Sequence, residues 1–110
     1  MSGQLPQVER YVVAARLKAG RTAEAERELA AGPPFEPAQA GLSGHAAYLT
    51  DDHVYLVFEG HAPRSAALKL ARDHLIEVGR WQSVIDGFPA QAESVPAEAR
   101  CLYRWKGEVR

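Results

Sequence analysis

Residues 45–60, HAAYLTDDHVYLVFEG, constrain the fold more than any other stretch of the chain. Two alternating, β-branched and aromatic runs flank Asp51-Asp52, the pattern of a β-hairpin with a two-residue turn. Centring the turn on the two aspartates sets Tyr48 opposite Tyr55, Thr50 opposite His53, Ala46 opposite Val57 and His45 opposite Phe58. Successive strand residues point to opposite faces. Tyr48, Tyr55, Ala46, Val57 and Glu59 therefore share one face. Ala47, Leu49, Val54, Leu56 and Phe58 share the other, which is the drier and should pack against helices.

The remaining elements arrange themselves around this hairpin. VERYVVAARLK, residues 8–18, alternates as a first strand, with Tyr11, Val13, Ala15 and Leu17 on one side and Arg10, Val12, Ala14 and Arg16 on the other. A helix follows from Thr22, the expected N-cap, to about Ala31, with Gly32 at its C′ position and Pro33-Pro34 barring continuation. Residues 32–44 read as a long loop pinned by Phe35 and Leu42. Residues 62–87 read as a long helix with Pro63 at N1, an apolar stripe of Leu68, Ala71, Leu75, Val78, Trp81 and Ile85, and a division at Gly79. Residues 88–98 read as loop. RCLYRW, residues 100–105, reads as a short last strand with Cys101, Tyr103 and Trp105 on one face and Leu102 and Arg104 on the other.

The order β-α-β-β-α-β is the ferredoxin-like α+β pattern, with an antiparallel sheet of order 4-1-3-2. Both helices cover one sheet face. The other face would carry Val12, Ala14, Tyr48, Tyr55 and Val57, too apolar a patch to leave in water. Composition points the same way. Of 51 hydrophobic residues 19 are Ala, and Leu, Ile, Val and Phe number only 24 of 110. That is just above the roughly one-fifth at which a chain stops supporting a core, so a second copy of the sheet, packed across a two-fold axis, would complete a thin core. On this element order, and on the hairpin GLSGHAAYLTDDHVYLVFEG leading into a helix, the chain resembles the dimeric α/β-barrel superfamily, in the manner of antibiotic-biosynthesis monooxygenases and stress-responsive barrels. The resemblance covers residues ~8 to ~105. It implies one domain over residues 1–110, a homodimer through the open sheet face, and a barrel cavity. The chemistry of such barrels differs from member to member.

Several classes are disfavoured. The net charge is −1, and the two halves, residues 1–55 and 56–110, carry 5 basic against 7 acidic and 8 against 7 side chains, so no basic patch suggests nucleic acid. No apolar run reaches the ~18 residues of a membrane span, and the start of the chain lacks the pattern of a signal peptide. The lone Cys101 forms no intrachain disulfide and fits a reducing, cytoplasmic setting, where it reads as a small buried hydrophobe. Neither HxxxH, HxH nor HExxH occurs among His45, His53, His61 and His74, so no local metal site is expected, and no cofactor fingerprint is present. His45 falls on the helix-facing side, where a hydrogen-bonded core or edge histidine is expected. His74 reads as solvated or loop-facing.

The candidate site lies on the open face. Register places Glu59 near Arg10 and His53 near Arg16, with Tyr48 and Tyr55 between them and Arg104 arriving from the last strand. In one reading this is a ligand pocket: His53 transfers protons, Arg16 holds an anion, Tyr48 and Tyr55 stack or hydrogen-bond, and Glu59 completes the lining. A small aromatic molecule would be bound, or transformed as by a cofactor-independent oxygenase or cyclase. In the other reading the two tyrosines are a cross-strand pair filling a dimer interface, and the domain is a non-enzymatic dimerisation or regulatory module. The residues leave both open.

Overall fold

A computed structural model describes residues 8–33, 35–87 and 89–107, with the backbone alone described at 75–78. The elements are β1 (Glu9–Arg16), α1 (Thr22–Ala30), a 3-10 turn (Pro37–Ala40), β2 (Leu42–Leu49), β3 (His53–Gly60), α2 (Pro63–Asp73), α3 (Leu75–Gln82), β4 (Ala90–Ala92) and β5 (Arg100–Lys106). They form an α+β fold on one antiparallel five-stranded sheet of order β4-β1-β3-β2-β5.

The central hairpin takes the expected register. Tyr48 pairs with Tyr55, Ala46 with Val57 and His45 with Phe58, and the Thr50 amide donates to the His53 carbonyl at 2.9 Å. β1 lies against β3 with Arg10 opposite Glu59 and Arg16 opposite His53. A two-residue turn leaves no slack, and a slip of one residue would turn every buried side chain to the wrong face. The stretch read as loop to residue 44 is shorter, because Pro37–Ala40 form a 3-10 turn and β2 begins at Leu42; Leu42 is buried and Phe35 packs against its cluster.

Other elements depart from the sequence reading. The last strand does not flank β1; it runs along β2, at the opposite edge. The place beside β1 is taken by β4, three residues inside the stretch read as loop. Alternation also fails in β5, because the register shifts between Ala47 and Tyr48. Leu102 and Tyr103 consequently both pack on the helix side, Leu102 in the cluster of Leu17, Leu29 and Leu49 and Tyr103 on His45. Cys101 stands opposite Tyr48 and is exposed rather than buried. Such bulges re-aim side chains at sheet edges.

The helices differ in detail. The N-cap of α1 is Arg21, and the Thr22 hydroxyl instead donates to the Asp51 carbonyl at 2.8 Å, tying the helix to the hairpin turn. Gly32, at φ +97°, takes the left-handed conformation just past that helix. The long helix breaks at His74 (φ −123°, ψ 47°), not at Gly79. Its buried side is Pro63, Ala66 and Leu70, whereas Leu68 is 60% exposed. Of the expected stripe, the side chains of Leu75 and Val78 lie outside the described residues.

Residues 93–99 alter the second sheet face most. β4 and β5 stand at opposite edges of the sheet, four inter-strand spacings or about 19 Å apart, and the seven residues joining them span that distance with a turn at residues 96–99 on the way. Val95 packs against Val12, Ala46 and Val57, which are 3%, 5% and 3% exposed. The centre of the face expected to need a second subunit is therefore covered by the chain itself.

Candidate functional site

The hairpin and β1 bring Tyr48, Tyr55, His53 and Arg16 to one end of the strapped face. Tyr48 and Tyr55 are half-buried cross-strand partners, and Arg104 Nη2 approaches the Tyr48 hydroxyl at 3.4 Å. His53 Nδ1 lies 2.9 Å from Asp52 Oδ1. With the carboxylate as acceptor, Nδ1 carries the proton and Nε2 is left as the basic nitrogen. The hydrogen bond from His53 holds the Asp52 carboxyl below its ordinary range. Asp52 is a partner that the sequence reading treats only as a turn residue. Glu59 does not join this group. Six residues of strand separate it from His53, about 20 Å. Its carboxylate instead lies over Gly44, where a Cβ would come within 2.7 Å of Glu59 Oε1.

Among the described residues His45 is the most deeply buried polar one, at 1% exposure, on the helix side as expected. Its Nδ1 lies 2.8 Å from the Val57 carbonyl oxygen and its Nε2 2.7 Å from the Tyr103 hydroxyl. A carbonyl only accepts, so Nδ1–H donates to Val57 and the Tyr103 hydroxyl donates to Nε2. Burial pushes the imidazole pKa down to about 4, opposed weakly by the Val57 hydrogen bond, and pushes the Tyr103 phenol up. The ring is neutral and stacks among Phe58, Phe35 and Tyr103, with centroids at 4.7, 5.0 and 5.3 Å. It joins β2, β3 and β5 and carries Phe35 with it.

A cavity of about 320 Å³ lies between this side of the sheet and the helices. Tyr11, Val13, Leu56 and Phe58 form its floor, and α2 contributes Ala67 and Ala71. Trp81 and Phe35 close two of its sides, and Glu28, His74 and Gln82 bring polar groups to it. Close-packed interiors leave few voids larger than a water molecule, whereas ligand pockets start near ~300 Å³. From α2 the short side chains of Ala67 and Ala71 line this cavity beside the buried Leu70. The alanine content of the sequence left close packing and open space equally possible, and did not point to α2.

A second, more polar cleft of about 600 Å³ adjoins the cavity, sharing Phe35, Leu70 and His74 with it. The Phe35 and His74 rings stand 6.0 Å apart between them, so His74 faces the loop, as expected. Lys69 and Asp73 line the cleft, paired at 3.0 Å. Among the described residues no group of three His, Cys, Asp or Glu could hold a metal ion, and no helix is long and apolar enough to cross a membrane. No protein-family model, curated protein or solved structure matches the chain.

Proposed function

We propose that the protein binds a small, predominantly apolar molecule between its helical layer and its sheet. One observation carries this reading: a ligand-sized cavity with an apolar floor and a few polar groups at its margin. In fold terms, we infer a ferredoxin-like unit whose strands β4-β1-β3-β2 follow the order 4-1-3-2, extended at one edge by β5. Tryptophan fluorescence tests the binding. Trp81 borders the cavity and Trp105 does not line it. Titration with naphthalene or phenylbutanol should change the emission saturably, in the Trp105→Phe variant as well. The response should vanish in an Ala71→Phe variant that keeps its circular dichroism and cooperative unfolding. An absent response to every apolar probe, or equal binding by the folded Ala71→Phe protein, would refute the reading.

A second reading keeps function on the strapped face, as a homodimer with a proton-transfer site at His53. It is favoured by the Asp52–His53 contact beside the half-buried Tyr48–Tyr55 pair. Tyr55→Asp would bury a charge in that interface, so light scattering should report a dimer for the natural chain and a monomer for the variant. A natural chain that is monomeric at all concentrations removes the dimer.

A further inference from the structure

We propose that the occupant of the cavity is an amphipathic amine, its apolar body between helices and sheet and its cationic head in the adjoining cleft. This rests on the cavity reading above and supplies its polar end. The cavity and the cleft share Phe35, Leu70 and His74 in their linings, and the Phe35 and His74 rings stand 6.0 Å apart where the two meet. A molecule that fills the cavity and extends past these shared side chains would place its other end in the cleft.

Charge selects what that end is. Glu28 borders the cavity, and Glu36 and Asp73 line the cleft, against the single ammonium of Lys69. Lys69 is already committed to Asp73, and its hydrogen bond holds that carboxyl below the usual carboxylate range, with smaller help from the charges of Arg72 and His74. Among the described residues, Glu28 and Glu36 meet no Lys, Arg or His at ion-pair distance. A cationic head in the cleft would find the Glu36 carboxylate without drawing Lys69 away from Asp73, and an aromatic face such as that of Phe35 attracts a cation. A carboxylate head would have to draw Lys69 away from Asp73 while sitting beside like charges.

A matched series tests this: phenylbutylamine, phenylbutanol and phenylbutyrate share one apolar body and differ in the head. Calorimetric titration at neutral pH should give the amine an affinity about fivefold above the alcohol, the worth of one carboxylate at ~4 Å in water. The carboxylate should bind weakest, and the amine's advantage should shrink with added salt. The Glu36→Gln, Asp73→Asn double variant should bind the alcohol as before and lose the preference for the amine. A carboxylate that binds as tightly as the amine, or a preference that survives in the double variant, overturns the amine and leaves the cavity standing. Failure of all three to bind overturns the cavity reading, and the amine with it.

Discussion

Acid should destabilise this protein through His45 before its carboxylates are titrated. The imidazole is 1% exposed, hydrogen-bonded at both nitrogens and stacked against three rings. Its pKa is about 4 in the folded chain against 6.5 when free. Between those values the unfolded chain binds the extra proton, so stability is full above 6.5 and falls as pH drops toward 4. The gap is worth about 3 kcal/mol once fully developed, a large part of the roughly 5–15 kcal/mol that holds a domain together. The assay is urea unfolding of the natural chain and of His45→Phe, each at about pH 7.5 and about pH 4.5. The variant starts less stable, because the Val57 carbonyl and the Tyr103 hydroxyl lose their partner. What discriminates is the pH difference. The natural chain should lose about 2–3 kcal/mol more than the variant between the two conditions. Equal losses would mean that the buried ring does not resist protonation, and the reasoning would fail.

The other expectations are simpler. Tyr103→Phe leaves His45 Nε2 a buried acceptor without its donor, at a cost of about 1–3 kcal/mol and roughly 4 °C of melting temperature for each; an unchanged melting temperature would show that the hydroxyl contributes nothing. Val95→Asp sets a carboxylate on Val12, Ala46 and Val57, and should lower the unfolding midpoint much more than Val95→Ala; equal effects of the two would deny that residues 93–99 seal this face. Arg100→Ala breaks only an exposed pair with Glu26, so its melting curve should overlay that of the natural chain. Gly44→Ala should change the melting temperature little, because the one atom a Cβ would crowd is the carboxylate end of the flexible Glu59 side chain, which can swing aside; a large loss would show that Glu59 is held in place.

The site was legible in the sequence only in pieces. His45 could be assigned to the helix side because its position follows from a two-residue turn and a period of two. Its partner Tyr103 could not be named, since the β5 bulge that lets Tyr103 follow Leu102 onto the same face leaves no mark in an alternating run. Tyr48, Tyr55, His53 and Arg16 were placed together by pairing alone, whereas the separation of Glu59 from His53 follows from strand length and could have been read beforehand. Phe35 was expected only to pin a loop; that it also stands between two hollows depends on a helix break at His74, where neither a proline nor a glycine gives warning.

Local physics decided what the chain determined alone: the hairpin and its register, the first strand and the α+β character all follow from side-chain alternation, turn chemistry and helix punctuation within a few residues. Where contacts span the chain, only the tertiary structure could decide. The edge taken by residues 100–106 depends on which neighbour best satisfies a strand's backbone, and three residues of β4 hold the place beside β1. That choice sends residues 93–99 across the sheet and covers the face that composition left bare. The alanines are the clearest case. Their number leaves open whether small side chains serve close packing or make room, and only the packing of α2 above Leu56 and Phe58 turns Ala67 and Ala71 into the wall of a cavity, because the volume of a void belongs to all the elements around it.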